Sequence, residues 1–163
     1  MTIFDIYHLF EVPAMARRPE PVRKSVRDVL DDLVAGHRDA ACAGPAAARK
    51  YLERAMAAQV NLPYAVRTVA WDLLAEAQAR LGDWEACAES VTRSLAHLGD
   101  TETEFPHGYR ALLEGLTCFE RGIQANTELG RYPEALALAD QAIELGLGDH
   151  YQAKRDSLEW ARS

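Results

Sequence analysis

The sequence predicts an all-α protein built from antiparallel helix pairs, and three features of the chain predict it. First, one spacing occurs twice. Trp71, Leu74, Gly82-Asp83-Trp84, Cys87, Val91 and Ser94-Leu95 are followed by Phe119, Ile123, Gly130-Arg131-Tyr132, Ala135, Ala139 and Ala142-Ile143. Eleven positions separate Trp71 from Gly82 and Phe119 from Gly130, and five separate Gly82 from Cys87 and Gly130 from Ala135. A small residue where two helices cross, an aromatic after the turn and aliphatics three or four apart are what such a pair needs to pack. Second, Pro21, Pro45, Pro63, Pro106 and Pro133 each stand before an apolar-periodic stretch, where the missing N–H costs nothing. Third, Gly36, Gly82, Gly99, Gly130 and the pair Gly146/Gly148 follow such stretches, where a left-handed residue closes a last turn. No strand pattern remains.

These signals place helices at about 21–35, 45–59, 63–81, 84–98, 105–129, 133–146 and 150–161. The first opens at Pro21 and ends in the turn Leu33-Val34-Ala35-Gly36; after a loop, His37 to Gly44, the second opens at Pro45 and carries Ala48, Leu52 and Ala55-Met56. Together they read as a degenerate first hairpin, 21–59. The second hairpin, 63–98, turns at Gly82, with Asp83 as N-cap of its second helix. The third, 105–146, follows the loop Asp100 to Glu104 and begins with a long helix. Asp149, with Gln152 three residues on, forms a capping-box pattern before a closing helix. That helix sets Tyr151, Ala153, Leu158 and Trp160 against the last hairpin and gives Lys154, Arg155, Asp156 and Glu159 to water.

The hairpins resemble tetratricopeptide repeats, helix-turn-helix units of about 34 residues that open W-x2-L-G-x2-Y and continue A-x3-F. Trp71-x2-Leu74-Ala75-x2-Gln78 and Cys87-x3-Val91 match at the tryptophan, the leucine and the small positions and miss the tyrosine. In the later copy Phe119, Gly122 and Ile123 stand for Trp, Leu and Gly, while Gly130, Tyr132, Ala135 and Ala142 keep their places. The resemblance implies a right-handed solenoid of about three hairpins with a C-terminal capping helix, in one domain spanning 20–163. The intervals, 46 from Gly36 to Gly82 and 48 from Gly82 to Gly130, exceed the family's period and imply longer helices and deeper walls. A hairpin cannot bury its apolar face alone, so neighbours must stack.

In that family the first helix of each hairpin lines a concave face. The matching positions here are Val69, Asp72, Glu76 and Arg80, then Thr117, Glu120, Gln124 and Glu128. The best-known variant clamps an acidic chaperone tail with lysine, asparagine and arginine; only Arg121 matches that set, and acids occupy Asp72 and Glu76. The resemblance therefore implies an acidic groove for a basic or polar helix or peptide of another protein. The same charges also suit a solvated helix face.

Charge is uneven. Residues 1–60 hold 9 basic and 8 acidic side chains, and residues 61–163 hold 9 basic and 17 acidic. An acidic surface repels phosphate backbones, so nucleic acid is not an expected partner, and Arg17, Arg18, Arg23, Lys24 and Arg27 read as a solvated helix face. Three cysteines, Cys42, Cys87 and Cys118, form no C-x-x-C pair; they suit a reducing compartment, with Cys87 at a helix crossing and Cys118 in the core. With no basic leader before the first apolar run and no run of roughly 18 apolar residues, the expected location is the cytoplasm, with no membrane partner. His8, His37, His97, His107 and His150 never fall in an H-E-x-x-H arrangement, and no phosphate-cradling glycine motif occurs. No catalytic, metal or cofactor residues are assigned, and the chain is not expected to be an enzyme.

Ile3, Ile6, Tyr7 and Phe10 in the arm, 1–19, fall at amphipathic helical spacing before the loosening Pro13 and Pro19. The arm suits either a cap over its own repeats or self-association into a homo-oligomer. The expected work of the chain is protein binding, as a scaffold-like interaction module. Alternatives are a small secretion-type chaperone that holds a client segment, favoured by an apolar groove, and the sensing or dimerisation part of a bacterial regulatory system.

Overall fold

A computed structural model describes residues 24–58 and 61–163. The arm with Ile3, Ile6, Tyr7 and Phe10, and the start of the helix expected from Pro21, lie outside the described residues. Every regular element among those described is a helix: α1 (Val26–Ala41), α2 (Pro45–Ala58), α3 (Tyr64–Arg80), α4 (Trp84–Leu95), α5 (Leu98–Glu104), α6 (Tyr109–Gly115), α7 (Cys118–Glu128), α8 (Tyr132–Glu144) and α9 (His150–Arg162). No helix among them is long and apolar enough to cross a membrane.

The two repeated turns form where their spacing placed them. Gly82 and Gly130 have φ of +73° and +71°, and glycine takes such a φ at no steric cost. In each turn the following amide reaches back five residues: Asp83 N–H donates to Gln78 O (3.0 Å) and Arg131 N–H to Asn126 O (2.7 Å). Asp83 Oδ1 then accepts from Ala86 N (3.3 Å), capping α4. Cys87 and Ala135, five residues past each glycine, are both 0% exposed.

Other boundaries differ from expectation. α1 starts after Ser25, which exchanges capping hydrogen bonds with Asp28, and it runs through Gly36 to Ala41, so most of the expected loop from His37 is helical. Gly36 is a crossing point, not a stop: a Cβ there would lie 2.1 Å from Tyr51 Oη of α2. The turn falls at Cys42 to Gly44. Aligning Ala48 and Leu52 with Cys87 and Val91 therefore gives an interval of 39, not 46. Gly99 likewise lies inside α5, which replaces the loop Asp100 to Glu104, and the long helix at 105–129 does not form. A turn at Phe105 to Gly108, containing Pro106, and extended backbone at Leu116 (ψ 136°) split that stretch into α6 and α7. Asp149 makes no side-chain cap on α9, and Gln152 donates instead to Asp156 (2.8 Å). Trp160 is 83% exposed, so α9 packs through Tyr151 and Leu158.

α1 packs on α2 and α3, α2 on α3, α3 on α4, α5 and α7, α4 on α7, α7 on α8, and α8 on α9. α3 is buried nearly all round, because it divides two cores. Val66, Ala70 and Leu74 join Leu33 and Leu52, whereas Ala75 and Ala79 join Phe119, Ile123, Leu113 and Tyr151. Polar side chains within this interior are paired: Ser94 Oγ donates to Thr68 O (2.8 Å), and Ser90 Oγ to Gln78 Oε1 (2.7 Å).

The segment α5–α6, inserted between α4 and α7, is tied to two other helices near its middle. Glu104 accepts from the amides of Tyr64 and Ala65, each at 3.1 Å, capping an α3 whose own N-cap, Pro63, has no side-chain acceptor. Arg110 donates to Leu145 O (2.8 Å) and Gly146 O (3.0 Å) at the end of α8. An acid at a helix start and a base at a helix end both complement the backbone dipole.

Candidate binding site

The expected groove residues sit on α3 and α7, which pack together, and most of them meet one another. Asp72 is 4% exposed; its Oδ1 accepts from Thr117 N (2.9 Å), at the start of α7, which lacks a cap of its own. Burial pushes the Asp72 carboxyl up to about 6, against the opposing pull of the Cys118 and Thr117 amides. Glu76 takes hydrogen bonds from Arg121 and from Arg80 Nε (2.8 Å), and Arg121 Nη1 also donates to Gln124 (2.9 Å). Burial alone would raise the Glu76 carboxyl, but the two guanidinium groups hold it below the usual range.

The row continues to either side. His37 of α1 lies close enough to Arg80 that burial and this positive charge hold its imidazole below its ordinary value. Glu120 lies 3.1 Å from His150 Nε2 of α9. Val69 is half-buried against the core that holds Leu52 and Val66, and Glu128 is exposed at the end of α7. The structure thus brings Asp72, Glu76, Arg80, Thr117, Arg121 and Gln124 together as a seam between two hairpins. Asp72, at one of the expected partner-binding positions, is buried in this seam, with its carboxylate turned to Thr117. His37 and His150 belong to the same row and carried no sequence signal, since the pairs they form lie in other helices.

On the opposite side of α7 a cleft of about 710 Å³ runs between α4 and α8. Ala88, Val91, Ala137 and Leu138 supply its apolar surface, and Asp83, Glu85, Glu89 and Glu134 its rim. Gly122 of α7 lies beneath: a Cβ there would stand 2.7 Å from both Val91 Cγ1 and Leu138 Cδ1. Arg131 Nη2 bridges the walls at one end, donating to both carboxylate oxygens of Glu85 (2.8 and 3.0 Å). A smaller cleft of about 290 Å³, between α2 and α4 over α3, is partly filled by Trp71 and Leu74, and Arg93 lies over the Trp71 ring at 4.8 Å. Gln78 lines this cleft and Asn126 the larger one, at equivalent distances before Gly82 and Gly130. Position 122, equivalent to Leu74, carries glycine, which lets Val91 and Leu138 approach the α7 backbone.

Among the described residues no group of three or more histidine, cysteine, aspartate or glutamate side chains is arranged to hold a metal ion. Burial raises the Cys87 thiol to about 11 and the Cys118 thiol further, so neither is a ready thiolate. Comparisons with family models, with curated proteins and with solved structures found no match.

Proposed function

We propose that the chain is a non-enzymatic protein-binding module, a tetratricopeptide-like array of three hairpins covered by α9. The observation that best supports this is the near-duplication of one unit in α3–α4 and α7–α8. Both copies have a left-handed glycine turn, an amide reaching back five residues and a fully buried small residue at the crossing. The order of packing supports stacking in one sense: first helices meet first helices, α1 on α3 and α3 on α7, and each second helix meets the next first helix. Such units bury their apolar faces on each other and leave ridged outer faces that suit a partner's helix or peptide.

Affinity capture from the native host, read by mass spectrometry, tests the proposal. The expected result is a protein recovered in constant ratio to the bait that raises the melting temperature of the purified chain when added back. Recovery of no such protein, with a rise in melting temperature produced instead by small metabolites, would overturn it.

A further inference from the structure

We propose that the cleft between α4 and α8 is the docking site, and that its occupant is a short amphipathic helix of a partner protein carrying arginine or lysine beside small apolar side chains. This rests on the protein-binding role proposed above and names its site and its chemistry. The seam between α3 and α7 is a poor docking surface, because Asp72 is buried and Glu76 is already held by two arginines. The α4–α8 cleft differs in three respects.

Its lining offers apolar surface from Ala137 and Leu138 beside the polar Thr92, Asn126 and Gln141, over a base where buried Val91 and half-buried Leu138 pack on Gly122. Its rim carries four carboxylates, Asp83, Glu85, Glu89 and Glu134, against one guanidinium, Arg131, which already holds Glu85. Arg93 meets Glu89 along α4 (2.5 Å), and Arg49 approaches Asp83 at 3.9 Å; with all three guanidinium groups counted the rim keeps one net negative charge, that of Glu134, and the other three pairs are exposed and weakly held. Its walls are two helices of 12 and 13 residues, about 18 to 20 Å long at 1.5 Å per residue. A valley between two helices takes the ridge of a third, and three to four turns of helix fill this length. Basic side chains flanking the apolar ridge would meet the rim carboxylates and set its register.

Selection of a random 15-residue peptide library on phage against the full chain tests this, with three variants at exposed positions whose helix content is checked by circular dichroism. Ala137→Trp fills the cleft, Glu134→Lys with Glu89→Lys reverses the rim, and Glu128→Lys alters the end of α7 outside it. The expected outcome is enrichment of peptides with basic residues beside apolar ones at helical spacing. Their binding should weaken at least tenfold in the first two variants and stay unchanged in the third. Acidic or uncharged winners, or winners indifferent to Ala137→Trp, would overturn the site while leaving the protein-binding role intact. Failure to select any peptide would count against both. A concentration-dependent mass increase of the chain alone, abolished by Ala137→Trp, would give the cleft to a second copy and overturn the partner.

Discussion

Asp72→Asn should make this protein more stable near neutral pH, although it removes a charge that accepts hydrogen bonds. Burial raises the Asp72 carboxyl from 3.8 to about 6, so the folded state binds its proton more tightly than the unfolded chain does. A folded pKa that is raised gives stability that is complete below the unfolded value and is lost as pH rises through the folded one. Two pKa units correspond to about 3 kcal/mol, lost between about pH 4 and pH 6, and this is an upper value for the gain on neutralisation. In a chain of this size it amounts to about 6 to 12 °C in melting temperature. Asparagine keeps an oxygen acceptor for the Thr117 amide and carries no charge to bury. Two other groups titrate with the opposite sign: the imidazole of His37 and the carboxyl of Glu76 are both lowered, so each withdraws stability as pH falls through its folded value. The informative quantity is therefore the difference between the wild-type and Asp72→Asn melting curves at each pH from 4 to 8. It should be small at pH 4, grow between about pH 4 and pH 6, and level off above that. A variant less stable than the wild type at pH 7.5, with an unchanged pH profile, would show that the Thr117 and Cys118 amides more than repay the burial of the charge.

Glu104→Ala removes the carboxylate that caps α3 across 40 positions and should cost about 1 kcal/mol in urea denaturation, with Glu104→Gln recovering part of it. Gly122→Ala places a methyl 2.7 Å from Val91 and Leu138 and should destabilise by about 1 to 3 kcal/mol, whereas the same change at Gly115, where a Cβ meets nothing within 4 Å, should not. Brief treatment with a thiol reagent should add one adduct, at the exposed Cys42, because Cys87 and Cys118 are buried; mass spectrometry in urea should then show three. Two or three adducts on the folded chain would contradict the packing of α4 and α7.

Much of the helical framework was legible because its signals are local. Gly82 and Gly130 were readable as turns from their equal spacing to Trp71 and Phe119, and Asp83 as a cap from its neighbour's position. Several of the misreadings share one cause, which is that the deciding partner is far away in sequence. Gly36 has the residue type of a helix stop and serves instead to admit Tyr51 of α2. Glu104 looked like part of a loop until α3 supplied two amides for it. Asp72 and Glu76 have the spacing of a charged face, and nothing local shows that Thr117 and Arg121 stand opposite them. The α4–α8 cleft was hidden for the same reason: its two walls are helices with three others between them along the chain.

The segment α5–α6 joins the start of one helix to the end of another. Its Glu104 completes the start of α3 and its Arg110 completes the end of α8, while Asp72 on α3 completes the start of α7. Few of these termini can remain ordered if another is lost. Helices joined only through neighbouring faces can fray one after another from an end, but helices whose termini are capped by other segments give that freedom up. Amide exchange should therefore be slowed together across α3, α7 and α8, with one shared opening energy, and the front pair α1–α2, which has no part in this capping, should open first.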